Sequence, residues 1–116
     1  LAMGAGVVTG NQNIAIGQNT MDAVTSGYEN IALGVNSQGA LTTGCLNIAI
    51  GKSAMGSCVV TGLCNVAIGM TALPKMTSGI RNIGIGVCAG TGITTGASNI
   101  GFSHSGAQSY IDDGNR

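Results

Sequence analysis

The chain has 116 residues, eight of them charged, four of each sign, with no Trp, one Phe and one Pro. Its net charge is zero, and Lys52, Lys75, Arg81 and Arg116 are scattered rather than clustered as a phosphate-binding surface requires. No apolar run approaches the ~18 residues of a membrane span, so neither nucleic acid nor membrane insertion is expected. Apolar residues at 44% argue against disorder, and 21 Gly without a three-residue period, beside a single Pro, exclude collagen.

The opening "LAMGAGVV" has neither the basic start nor the length of a signal peptide and reads as a coil entered part-way. From "TGNQNIAIG" onward one phrase returns along the chain: "SGYENIALG", "TGCLNIAIG", "TGLCNVAIG", "SGIRNIGIG", "TGASNIGFS". Alignment on Asn13, Asn30, Asn47, Asn65, Asn82 and Asn99 gives spacings of 17, 17, 18, 17 and 17, with a Gly always three residues earlier. A fixed period of this length marks a repeat architecture, here a single domain, 1–116. The coils are 7–23, 24–40, 41–58, 59–75, 76–92 and 93–109, with partial coils at 1–6 and 110–116. "YIDDGNR" is read as the opening of a further coil. The one extra residue is expected at a corner near Ser57 and Cys58.

Within each coil large apolar residues alternate: Ile14 and Ile16, Ile31 and Leu33, Ile48 and Ile50, Val66 and Ile68, Ile83 and Ile85, Ile100 and Phe102. Period two with β-branched residues predicts a strand with one face buried, and these twelve residues are the expected core. A second short strand is expected just before the repeated Gly, at "VVT", "VTS", "LTT", "VVT", "MTS" and "ITT". The fold expected is all-β, a parallel β-solenoid of about six 17-residue coils, stacked at ~4.8 Å. In such a stack every residue sits above its equivalent. Ile columns can therefore fuse into a dry core, the Asn column can form an amide ladder, and columns of like charge would repel. The repeated Gly residues are expected to supply positive φ at corners.

Between the large residues lies a small column: Ala15, Ala32, Ala49, Ala67, Gly84 and Gly101. Alternation points it away from the expected core, and its smallness suggests close packing against another subunit.

Nothing forms a recognisable catalytic or metal set, and no cofactor is expected. His104 falls in a variable column with Gln18, Val35, Lys52, Met70 and Val87, which reads as surface. Cys45, Cys58, Cys64 and Cys88 occupy four different repeat positions without CxxC spacing and read as thiols. Asp112 and Asp113 read as a solvated turn, since a Ca²⁺ site needs about six oxygen ligands or more.

The "TGxxNIAIG" phrase followed by a short "A-L" or "A-M" segment resembles the repetitive shafts of bacteriophage and large-virus tail fibres. It is similar in pattern to the head repeats of trimeric autotransporter adhesins. The resemblance spans Ala2 to about Gly106; the 17-residue period favours the fibre shaft over the adhesin head. It implies parallel β-roll or β-solenoid coils, three chains about a common axis, and a non-enzymatic attachment fibre. The segment would be a rigid shaft presenting a receptor-binding tip, on a virion tail fibre or an extracellular, cell-surface appendage. Its partners would be further copies of itself and a host surface receptor or glycan. Alternatives are a bacterial trimeric adhesin head, an ice-binding solenoid and a hexapeptide-repeat acyltransferase. Ice binding is disfavoured because the Thr pairs 42–43 and 94–95 are adjacent and point to opposite faces. The acyltransferase is disfavoured because its third hexapeptide position, Thr20, Ser37, Ala54 and Ala72, never holds a large aliphatic residue.

Overall fold

A computed structural model describes residues 2–3, 8–104 and, for the backbone, 110–112. The expected partial coil 1–6, the end of coil 93–109 and the final residues 113–116 lie wholly or mostly outside the described residues. Among the described residues the protein is all-β. Six strands run parallel, one per coil: β1 (Ile14–Ile16), β2 (Ile31–Leu33), β3 (Ile48–Ile50), β4 (Val66–Ile68), β5 (Ile83–Ile85) and β6 (Asn99–Phe102). They stack in chain order as a β-solenoid of about five turns. The register is that of the Asn alignment, with Ile31 beside Ile48, Ala32 beside Ala49 and Leu33 beside Ile50, and equivalently along the stack.

A seventh strand, β7 (Tyr110–Asp112), does not open another coil. It pairs antiparallel with β6, Ile100 opposite Ile111. The reason is chain length. A parallel return needs a whole circuit, such as residues 34–47 between β2 and β3, whereas 103–109 provide half as many. An antiparallel strand covers the last rung instead.

The second strand also differs from expectation. Among the described residues the segment before the repeated Gly makes one single-residue parallel bridge, Leu41 with Val60, and the residue after that Gly makes two more, Cys45 with Leu63 and Ile80 with Ala97, with no continuous ladder. Its Thr N–H groups still bond from coil to coil, Thr25 to Thr42 O at 3.0 Å and Thr77 to Thr94 O at 2.9 Å. Gly27 N–H shares the Thr42 carbonyl at 3.1 Å, and two donors on one acceptor break the regular alternation of a ladder.

The interior is the reverse of the expected one. Ala32, Ala49 and Ala67 are completely buried and Gly84 and Gly101 are buried, while Ile14, Ile16, Ile85 and Phe102 are exposed. Ile31, Leu33, Ile48, Ile50, Val66, Ile68, Ile83 and Ile100 are only half-buried. The bulk inside each coil comes from the opposite wall. One column there is Met21, Gln38, Met55 and Leu73, and another is Val24, Leu41, Val60, Met76 and Ile93, all buried. These side chains fill a thin coil up to the strand, leaving room there only for a methyl group or a hydrogen. A Cβ at Gly84 would lie 2.8 Å from Leu73 Cγ. The small column is therefore small because it faces this wall, and Ala15 packs against the same cluster. The extra residue falls where expected: Cys58 is half-buried while Val60 takes the interior place of Leu41, so the corner absorbs the insertion.

Corners use positive φ at non-Gly residues as well as at Gly. Three repeat positions adopt it, exemplified by Glu29 (φ 55), Asn36 (φ 56) and Gln38 (φ 47). Each donates its N–H to an adjacent coil: Glu29 to Asn11 O at 3.1 Å, Asn36 to Gln18 O at 2.9 Å, Gln38 to Ala54 O at 2.9 Å. The stack thus holds a conformation that costs an isolated residue about 1–3 kcal/mol. Of the two Gly columns, the one after the strand has φ near that of Gly51, 128°. The one three residues before the Asn is Gly because backbones nearly touch: a Cβ at Gly44 would lie 2.7 Å from Gly62 O.

Candidate interaction face

Two columns of the repeat carry distinctive chemistry, one inside the coil and one outside. Inside, the Asn column forms the expected ladder. Asn65 Nδ2 donates to Asn47 Oδ1 at 3.0 Å and to Gly79 O at 2.8 Å, and its backbone N–H donates to the same Asn47 oxygen at 3.0 Å. The pattern repeats at Asn30, Asn47 and Asn82, all fully buried, and Asn13 and Asn99 end it half-buried. From Asn30 to Asn82 each amide oxygen takes two donors and each amide nitrogen reaches at least two acceptors, so the ladder satisfies buried backbone groups that the short strands leave open. Its role is structural. Gln38 is its counterexample: both amide atoms are buried without a hydrogen-bond partner, in a column otherwise holding Met21, Met55 and Leu73.

Outside, the two Ile columns form an aliphatic sheet face that follows all six parallel strands. Exposure reaches 65% at Ile16, 50% at Ile14 and 49% at Phe102. The expected subunit contact at Ala15, Ala32, Ala49, Ala67, Gly84 and Gly101 is thus corrected. That column lies inside the coil and reaches no neighbour, whereas the columns expected to be core present the free surface.

Two margins flank this face. The residue before each Asn gives Gln12, Glu29, Leu46, Cys64 and Arg81 exposed, with Ser98 half-buried. The residue after each strand Gly gives Gln18, Val35, Lys52, Met70 and His104 exposed, with Val87 half-buried. The apolar members Leu46, Val35 and Met70 widen the face. By its variability in the sequence the second margin reads as plain surface. Its signal was there, since three of its six residues are large and apolar.

Beside the first margin, the phenol of Tyr28 is pushed above its ordinary value, first by its hydrogen bond with Cys45 and then by the charge of that thiol. All four cysteines are free thiols, Cys45 buried and Cys64 exposed. A separate polar groove of about 500 Å³ passes Asn19, Asp22, Asn36 and Ser53. Among the described residues no three His, Cys, Asp or Glu side chains stand together as a metal-binding group, and no helix is long and apolar enough to cross a membrane. No protein-family model, curated protein or solved structure matches the chain.

Proposed function

We propose that the chain is a structural and adhesive fibre segment, a rigid homotrimeric shaft that holds a receptor-binding tip away from a virion or from a cell surface. One observation carries this reading: an unbroken aliphatic sheet face that follows every parallel strand. Six rungs at ~4.8 Å make it about 24 Å long. Contiguous apolar surface beyond a few hundred Å² is uncommon on a monomer and marks an interaction site. In a cyclic trimer three such faces close on one another along the axis, and each coil gains a second buried layer that its narrow interior cannot supply. Repetition then serves both surfaces. The ladder inside and the aliphatic columns outside extend coil by coil, so length is gained without new design, and a near-neutral composition spares the stack repulsion between like charges.

The test is the mass in solution by light scattering, with immunogold microscopy of the particles or cells that produce the protein. Three times the chain mass of 11.3 kDa, and gold along thin projections, are the expected results. A monodisperse monomer overturns the trimer. Label confined to the cell interior overturns the fibre.

A further inference from the structure

We propose that Cys45 and Cys64 are a closing pair: with a small-molecule disulfide as oxidant they form a disulfide between adjacent coils and staple the one coil that carries an extra residue. The link lies within one chain and goes beyond the fibre reading, since it needs no partner copy.

The backbone sets the two residues side by side. Cys45 forms a parallel bridge with Leu63, and the N–H of the next residue, Cys64, donates to Cys45 O at 3.1 Å. With standard bond lengths this hydrogen bond holds the two Cα atoms roughly 5–6 Å apart, inside the span that a disulfide bridges. In a regular strand neighbouring columns point to opposite faces. Here the column of Cys64 has positive φ, 59° at Cys64 itself, and the turn brings both columns outside, so that Tyr28, Leu63, Leu46 and Cys64 are all exposed. Cys45 shares the column of Tyr28 and Leu63 and is buried as the small member between two large ones. The Tyr28 phenol hydrogen-bonds the Cys45 thiol and also feels the charge of Cys64, so both sulfurs stand near one ring. The other thiols are placed differently: Cys58 lies at the corner of the insertion, and Cys88 follows β5 in the column of Asn36 and Ser53.

Exposure gives the pair an order of reaction. The Cys64 thiolate attacks the oxidant R–S–S–R, forming Cys64–S–S–R and releasing one R–S⁻. The Cys45 thiolate then attacks the Cys64 sulfur and releases the second R–S⁻. The protein gives up two electrons and two protons, and the oxidant leaves as two R–SH. The loop so closed contains β3 and the corner at Ser57 and Cys58, within the single 18-residue step of the array, Asn47 to Asn65. Repeat arrays open locally, and a covalent tie across the irregular coil limits opening there.

In the experiment the folded whole chain is incubated with excess oxidised glutathione, alkylated and digested with trypsin without reduction; cleavage at Lys52 separates Cys45 from Cys58 and Cys64. The expected result is a Cys45–Cys64 link within one chain, kept in Cys58→Ser and lost in Cys64→Ser. The Ile48 amide, which donates to Asn65 O across the two coils at 2.8 Å, should then exchange its hydrogen about 10-fold or more slowly than in the reduced protein. Thiols left free, Cys64 left as the glutathione mixed disulfide, a Cys58–Cys64 link or a link between chains overturns the pairing. A Cys45–Cys64 link that leaves exchange at Ile48 unchanged overturns the staple.

Discussion

Truncating the ladder at Asn65→Ala gives the sharpest test of what holds the coils together. The Asn65 Oδ1 atom accepts the Asn82 backbone N–H at 2.9 Å and Asn82 Nδ2 at 3.1 Å, while Asn65 Nδ2 serves Gly79 O at 2.8 Å. Alanine removes the shared acceptor of two Asn82 donors, of which the backbone N–H is left with no other partner while Nδ2 keeps Gly96 O, and it removes a donor to the Gly79 carbonyl. Each such group costs about 1–3 kcal/mol when left unpaired, and the lost side-chain volume adds a cavity, so a loss of about 4 kcal/mol is expected. Asn99→Ala is the control. Asn99 is half-buried at the end of the ladder, and Asn82 Oδ1 still accepts the Asn99 backbone N–H at 3.0 Å, so a loss of about 1 kcal/mol is expected. Urea titration at fixed protein concentration measures the global change. Because repeat arrays can open locally, hydrogen exchange at the Asn82 amide measures the local one, with an acceleration of about 100-fold or more expected in Asn65→Ala. A loss under about 1 kcal/mol with Asn82 still protected would refute the assignment of stability to the ladder.

The two faces of the strand separate cleanly by mutation. Ala49→Arg forces a cation into a fully buried column and should abolish the folded chain at any concentration, whereas Ile50→Asp should lower the mass of the assembly, and both are read by circular dichroism and light scattering. A folded Ala49→Arg beside an unfolded Ile50→Asp would restore the opposite facing. Gln38→Met replaces two unpartnered buried polar atoms by the residue type of its column neighbours, and a gain of about 1–2 kcal/mol in thermal or urea stability is expected. No gain would mean that the Gln38 amide has a partner in solution. Gly51→Ala sets a Cβ 2.6 Å from Gly69 O at φ 128°, and a loss of about 2 kcal/mol or more is expected in the same titration. A variant as stable as the parent would show that this corner can relax.

Several features of the protein are determined by its sequence alone. The 17-residue period, the parallel register of the Ile-Ala-Ile triplets and the Asn ladder all follow from repetition, because stacking puts each residue on its own equivalent and the period names that equivalent. The place of the extra residue beside Ser57 and Cys58 was legible for the same reason. What repetition does not encode is which side of a two-sided strand is inside. Alternation in Ile48-Ala49-Ile50 defines two faces and is silent on the choice. Size favours Ile for the core only if nothing else fills it. The choice was made by the far wall, where Met55, Leu73 and Val60 meet the strand across a coil too thin for two layers of large side chains. That wall has no simple period-two signature, since its corners run through positive φ at Asn36 and Gln38, and residues there face inward by turn geometry. The same holds at the C-terminal end. "YIDDGNR" looks like a coil's opening, but residues 103–109 are too few for a full circuit, and only the folded chain shows β7 turning back on β6. Local pattern thus fixed the rungs, while the side that became the interior, and the side left free for a partner, were set by contacts across the coil.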